Sequence, residues 1–209
     1  MLSFDFVWLA SQSPRRKELL ARLGVRTQAL IADESLDIPE DVEALEQARP
    51  GEDPSHYVER VVSAKLAAAQ ARLLRRGWPA APILVADTTV AIGGQILGKP
   101  ANALEATATL QALSGRTHRV LTAVAVARPG HDKILRATSV SRVRFARLTQ
   151  RQIERYVATG EPMDKAGAYG LQGSAGAFVR EIRGSDSGVI GLPLYETARL
   201  LQSAGVLER

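Results

Sequence analysis

The chain has no cysteine. That excludes disulfides, thiol catalysis and cysteine-based metal sites, and it suits a reducing compartment. Aromatic residues make up only 5% and do not alternate with the basic ones, so a stacking platform for single-stranded nucleic acid is unsupported. No apolar run approaches the roughly 20 residues of a membrane span. Asp5 interrupts the N-terminal segment, and no basic stretch precedes an apolar one there, so no secretory leader is read and a soluble cytoplasmic protein with no membrane partner is expected. His56, His118 and His131 are far apart and lack metal-ligand spacing, so they read as structural or surface residues. No GxSxG elbow and no Walker-type lysine loop is present, which removes support for hydrolase and P-loop mechanisms by those routes.

What is present is a chain of 209 residues, 45% hydrophobic, enough for one large domain or two small lobes with a substantial core. The net charge is +5 and unevenly spread. Residues 33–54 carry nine of the 22 acids (Asp33, Glu34, Asp37, Glu40, Asp41, Glu43, Glu46, Glu52 and Asp53) against the single base Arg49. The remainder is therefore strongly basic, which favours a polyanionic small molecule or nucleic acid. No recognition-helix pattern supports nucleic acid, and no stable partner of that kind is expected.

The stretch Leu9 to Leu20 stands out. The aromatic and β-branched run Phe4–Leu9 reads as a strand, and Ser13-Pro14 then opens a helix, with Ser13 as N-cap and Pro14 at its first position. Leu19, Leu20 and Leu23 share a face and Gly24 ends the helix. Its first turn carries Ser11, Ser13, Arg15, Arg16 and Lys17. Cations there oppose the helix dipole, so structure alone does not explain them, whereas free N–H groups, hydroxyls and guanidinium forks together suit phosphate oxygens.

Further along, Thr27–Ala32 reads as a second strand. The acidic, proline-bearing stretch after it reads as a long loop, mostly a solvated surface, with one or two carboxylates able to hold a divalent cation beside the phosphate site. Asp53-Pro54 opens a long helix to about Arg76, with Val58, Val61, Val62, Leu66, Ala69 and Leu73 as its buried stripe. Lys65 lies within that stripe, where it either snorkels to the rim or projects into a cleft. Ile83–Ile92 is the strongest strand, turned by Gly93-Gly94 into Gln95–Leu97. Asp87 is its anomaly: a carboxylate in so apolar a strand is costly unless paired, hydrogen-bonded or metal-bound. An Asp bonding backbone amides at a bulge is the structural alternative, and a general base or metal ligand is the better reading. Gly98-Lys99-Pro100 puts another lysine just beyond the hairpin.

A helix opens at Asn102 with Glu105, Thr117–Ala127 and Ile134–Leu148 form a hairpin, and Thr149 with Gln152 caps a helix ending at Gly160. Residues 161–173 are rich in glycine, which permits close backbone approach, and Lys165 and Gln172 could read a ligand from there. Phe178–Ile182 reads as a strand, Gly184–Gly191 as a turn and short strand, and a last helix starts near Leu194 with Leu194, Ala198 and Leu201 inward.

Four stretches, in order, resemble the Maf family of nucleoside triphosphate pyrophosphatases: Ser11–Arg16; Ala86–Val90 with Gly98-Lys99-Pro100; Leu113–His118; and Asp164–Gly173 with Gly191–Leu194. They span nearly the whole chain. The resemblance implies a single domain over residues 1–209, of mixed α/β architecture: an elongated mixed sheet with flanking helices and two lobes around a cleft, similar to the inosine triphosphatases. It implies hydrolysis of a nucleoside triphosphate to monophosphate and pyrophosphate with a divalent cation (Mg or Mn), a house-cleaning role, and a cytoplasmic homodimer. By position, Asp87 matches the catalytic aspartate and metal ligand, and Glu40 matches a second acidic residue, although Pro39 stands where an aspartate is common. Ser11, Arg15 and Arg16 match the triphosphate-binding motif, and Lys65 and Lys99 match two phosphate-contacting lysines. Arg16, Thr88 and Gln172 match the branch that prefers dTTP and UTP. Lys165 adds charge, and Asp186 stands where a tyrosine is usual. The alternative is a nucleotide-binding regulator of septum formation without significant turnover.

Overall fold

The computed structural model describes residues 4–33, 37 and 45–208. The elements follow the order β1 (Val7–Leu9), α1 (Pro14–Arg22), β2 (Thr27–Ala29), α2 (Pro54–Arg76), β3 (Ile83–Ile92), β4 (Gln95–Leu97), α3 (Ala103–Leu113), β5 (Thr117–Ala127), β6 (Leu135–Phe145), α4 (Gln150–Val157), β7 (Val179–Arg183), α5 (Asp186–Ile190) and α6 (Leu194–Ser203). Two short 3₁₀ turns, Ala166–Ala168 and Ser174–Phe178, lie between α4 and β7. No helix among the described residues is long and apolar enough to cross a membrane.

Among the described residues the strands form one mixed sheet in the order β2-β1-β3-β5-β6-β7, with β4 pairing on β3. β1 runs parallel to β2 and β3, each parallel return being made through a helix, as such connections require. From β3 onward the pairing is antiparallel, with Asp87 opposite Ala123 and Thr88 opposite Thr122. The mixed α/β expectation with flanking helices is met.

Alternation along β3 sends its residues to two faces. Ile83 and Val85 join Val58, Val61, Val62 and Leu66 under α2. On the other face Leu84 and Ala86 pack with Leu19, Leu20 and Leu201 beneath α1 and α6. Val90, on that same face, belongs to a further cluster with Leu110, Phe145, Ile153 and Tyr156. Between these last two cores the sheet carries a polar row: Thr88 hydrogen-bonds Thr122 (2.9 Å), and Thr122 Oγ1 donates to the Gly188 carbonyl (2.8 Å). The seam bonds its own hydroxyls, so it satisfies buried polarity while dividing the apolar interior.

Several local readings hold in detail. Asp53 caps α2 by accepting from the Ser55 and His56 amides, Gly77 ends it in the left-handed region, and Thr149 with Gln152 forms a capping box. Others need correction. Only Val7–Leu9 of the Phe4–Leu9 run pairs. Ser13 occupies the cap of α1 without a capping bond from its hydroxyl; instead Ser11 Oγ accepts the Ser13 amide. Residues 184–191 contain the helix α5, not a short strand, because Ser185 Oγ takes the Gly188 N–H and starts a turn. Along α6 the fully buried positions are Thr197 and Leu201, with Leu194 and Ala198 only half-buried. Asp37 is not a solvated surface acid: it is buried against Arg76 and Arg72.

His118 on β5 ties the sheet to the glycine-rich segment. Its Nε2 lies 2.8 Å from the Tyr169 hydroxyl, with both rings buried against Phe145. Burial lowers the imidazole to about 4, against 6.5 for an unfolded histidine. Between these values the unfolded chain binds more protons than the native one, so stability falls as pH drops through this window and is fully present above it. We expect the melting temperature to decline from pH 7 to pH 5.5, a range above the carboxylate titration. His118→Gln should flatten that slope, as followed by calorimetry across the range.

Candidate active site

The site exists because one strand is left half-paired. β1 meets β3 only at Trp8↔Ile83 and Leu9↔Leu84, and its last contact is the Ala10 amide on the Leu84 carbonyl. β4 joins the same side of β3 only from Val90. Between these two partners, residues 85–89 have no neighbouring strand on that edge among the described residues. A cleft of about 1550 Å³ opens there, lined by the β1–α1 turn, α2, β3 and the 161–173 segment.

Asp87 faces this cleft on the α2 side, its side chain 10% exposed. Its Oδ1 accepts from Lys65 Nζ at 2.6 Å. Lys65 thus leaves the apolar stripe of α2 for the cleft instead of snorkelling to the rim. The same ammonium donates to Glu46 Oε1 at 2.7 Å, and Lys99 Nζ donates to Glu46 Oε2 at 2.8 Å. Burial alone would raise the Glu46 carboxyl, but the hydrogen bonds and charges of the two lysines outweigh it and hold the group below its ordinary value. Tyr57 lines the same wall and donates its hydroxyl to the Glu46 carbonyl (2.7 Å). Burial, then the charges of Asp87 and Glu46, push its phenol up, so it stays protonated.

Thr88 points to the opposite face of the sheet, at the polar seam, and Arg16 reaches it from the first turn of α1. The guanidinium donates to Ser11 Oγ (3.1 Å), Thr88 Oγ1 (3.4 Å) and the Gly191 carbonyl (2.9 Å). Burial lowers its pKa, and the nearby Asp87 charge opposes that shift. Arg16 therefore serves two ends: it braces the α1 turn against the 186–191 segment and presents a cation to the cleft. Arg15 and Gln172 also line the cleft.

The 161–173 segment forms the opposite wall. Gly167 adopts φ +70° against Val90, where a Cβ would come within 2.9 Å, and Ala168 is held at φ +58°. Glu161 cross-braces the segment: its carboxylate accepts from the Tyr156 hydroxyl, the Ser174 amide and the Ser174 hydroxyl. Lys165 lines the cleft, but its ammonium is turned onto its own loop, bonding the Glu161 carbonyl and Asp164 at 2.6 Å each.

The predicted residues Ser11, Arg15, Arg16, Lys65, Asp87, Thr88, Lys99, Lys165 and Gln172 all line one cleft. Glu40 lies outside the described residues. The structure adds Glu46, Tyr57 and Glu161 to the cleft residues. Tyr57 carried a signal, since it sits four and eight residues before Val61 and Lys65 on one helical stripe. Glu46 carried none that distinguished it from its acidic neighbours. Among the described residues no group of three or more His, Asp or Glu side chains stands ready for a metal. The donor chemistry nevertheless suits a hard cation, because Mg²⁺ is commonly held by one or two carboxylates completed by substrate phosphates and water.

A buried carboxylate bonded to Lys65, sharing an open cleft with Arg16 and Lys99, defines an α/β protein whose cleft suits an anion. The Maf family profile (Maf-like protein) matches residues 6–204, and the chain belongs to this family. It is 56% identical over 200 residues to a dTTP/UTP pyrophosphatase of Cupriavidus pinatubonensis, covering 96% of this chain and 97% of the relative. It is 57% identical to proteins of the same name from Cupriavidus metallidurans (97% and 98% covered) and Burkholderia pseudomallei (98% and 96% covered).

The packing of Gly173 gives a direct check on the loop. A Cβ there would lie 1.8 Å from Glu161 Oε1, so Gly173→Ala must expel the carboxylate from its Ser174 bonds. We expect a loss of about 1–3 kcal/mol in urea denaturation, with faster amide exchange at Gly170 and Ser174.

Proposed function

We propose that the protein hydrolyses dTTP and UTP to the monophosphate and pyrophosphate. The observation that carries this reading is Asp87, buried in β3 and hydrogen-bonded to Lys65, in one cleft with Arg16 and Lys99. The names of relatives at 56–57% identity over nearly the full chain support the same reaction. A triphosphate carries about four negative charges near neutrality, and transfer at phosphorus asks mainly for positioning and charge stabilisation. Arg15, Arg16, Lys65 and Lys99 supply that charge. Asp87 accepts the proton of the water that attacks the α-phosphorus, and the bond to the β-phosphate oxygen breaks to release pyrophosphate. Lys65 keeps Asp87 oriented toward the cleft. A divalent cation, Mg²⁺ or Mn²⁺, would be held by Asp87 together with phosphate oxygens, and it supplies charge neutralisation on the phosphates. Arg16, Thr88 and Gln172 are the residues we assign to pyrimidine preference.

The reading extends to modified pyrimidine nucleotides as substrates, a house-cleaning role in the cytoplasm, and a homodimer; each is supported by the family resemblance. A regulator of septum formation without turnover is not favoured. Such a protein has no need of a carboxylate buried beside a lysine in the nucleotide cleft.

The test is pyrophosphate release from dTTP, UTP, CTP, dGTP and 7-methyl-GTP with Mg²⁺ or Mn²⁺. We expect release from dTTP and UTP with the monophosphate as co-product. Asp87→Asn should lower kcat by about 10²–10⁴-fold, the usual contribution of a general base, without changing the far-UV spectrum. Full turnover by that variant would remove Asp87 from the mechanism.

A further inference from the structure

We propose that Thr122 is a positioning residue for base choice. It fixes the Thr88 hydroxyl as a hydrogen-bond acceptor toward the cleft, so the site takes the N3–H of a uracil or thymine ring and refuses the bare N3 of cytosine. The inference rests on the reaction proposed above, but it concerns a residue behind the cleft wall. Thr122 is 1% exposed and acts only through Thr88, which lines the cleft.

Proton counting fixes the direction of each bond. A threonine hydroxyl has one hydrogen to donate and two lone pairs to accept with. The Gly188 carbonyl can only accept, so the 2.8 Å bond to it uses the hydrogen of Thr122. Thr122 therefore enters its 2.9 Å contact with Thr88 as the acceptor, and the hydrogen between them belongs to Thr88. Thr88 has nothing left to donate. Arg16 donates to one of its lone pairs at 3.4 Å, and the other remains for a ligand in the cleft. Arg16 itself keeps N–H groups to spare beyond its bonds to Ser11, Thr88 and Gly191. A donor and an acceptor-only hydroxyl thus stand side by side. The edge of a uracil or thymine ring offers their complement, a carbonyl beside an N–H. With sugar and phosphates fixing the ring, cytosine sets the lone pair of N3 against that of Thr88, a repulsion in place of a bond.

The helix that supplies the carbonyl is held without help from Thr122. Ser141 Oγ donates to the Ser185 carbonyl and accepts the Ser185 amide, and Ser185 Oγ accepts the Gly188 amide, each at 2.9 Å. Replacing Thr122 by valine, of nearly the same shape, removes the hydroxyl while these bonds keep α5 in place. The Thr88 hydrogen is then released to turn toward the cleft, where it donates to cytosine N3.

The experiment measures kcat/KM of the full chain for UTP and for CTP with Mg²⁺ and reads their ratio. We expect Thr122→Val to lower the UTP-to-CTP ratio about tenfold, with the value for CTP rising. Thr122→Ser keeps the hydroxyl and should hold the ratio within about twofold of the parent. Ser185→Ala loosens α5 without disturbing the order of the two threonine hydroxyls, so it should lower the melting temperature and leave the ratio unchanged.

An unchanged ratio in Thr122→Val would overturn the proposal, as would an equal fall in Thr122→Ser or in Ser185→Ala. Should Thr122→Val fail to fold, the parent protein carries the test with N3-methyl-UTP, which lacks the ring donor. A loss of about tenfold against UTP supports the acceptor role of Thr88, and equal turnover overturns it. Absence of dTTP and UTP turnover in the parent protein would defeat the proposed function. Calorimetric binding of UMP and CMP, which needs no turnover, would still decide the role of Thr122 through the same ratio in parent and Thr122→Val.

Discussion

The Asp87–Lys65 hydrogen bond is the constraint around which the rest of the site is arranged. A carboxylate in the middle of an apolar strand costs several kcal/mol unless it is paired, and removing one partner of such a pair costs about 3–5 kcal/mol. The partner has to arrive from the element packed on that face, which is α2. Its position is set by Val58, Val61, Val62, Leu66 and Ala69, all buried against the sheet. With these knobs seated, Lys65 can only point along β3 toward Asp87. Core packing and the charge pair thus demand the same register of helix on strand, and a one-residue slip of β3 would send Asp87 to the other face.

A second constraint lies across the sheet. The apolar interior beneath α1 and α6 and the interior beneath α3 and α4 meet on one face of β3 and β5. The positions between them, Thr88 and Thr122, carry hydroxyls. A continuous apolar face there would remove the hydroxyl that donates to the Gly188 carbonyl and the one that accepts from Arg16. The seam instead bonds both and delivers Arg16 to the cleft. The cleft therefore combines two independent features: an edge of β3 left open between β1 and β4, and a polar row on the face behind it. Asp87 and Thr88, adjacent in the chain and opposite in direction, bring charge and hydroxyl to one place from the two faces.

Relatives named for dTTP and UTP match this chain almost end to end, the glycine-rich wall included. The wall is stiffened from within. Glu161 and Lys165 cross-brace it, and the His118–Tyr169 contact ties it to β5. Lys165 is thereby part of the scaffold of the wall, and the cation supply of the cleft falls chiefly to Arg15, Arg16, Lys65 and Lys99.

Contiguous sequence determined what depends on neighbours a few residues apart. The caps at Asp53 and Thr149, the stop at Gly77, the stripe of α2 and the strand around Asp87 were legible because helix and strand periodicity, capping bonds and turn chemistry act within a turn or two. Asp87 was legible as a site because an unpaired charge inside an apolar strand is a local contradiction. The short helix at 186–190 was not, since the apolar pair Val189-Ile190 suits a strand equally well and a single hydroxyl, Ser185, tipped the balance. Only the tertiary structure chose between the rim and the cleft for Lys65, turned Lys165 onto its own loop, and picked Glu46 from a run of similar acids. Each of those choices rests on partners distant in sequence: Lys65 on Asp87 22 residues away, Glu46 on Lys99 53 away, and Arg16 on Gly191 175 away. Sheet order brings such pairs together, and sheet order is a property of the whole packed chain.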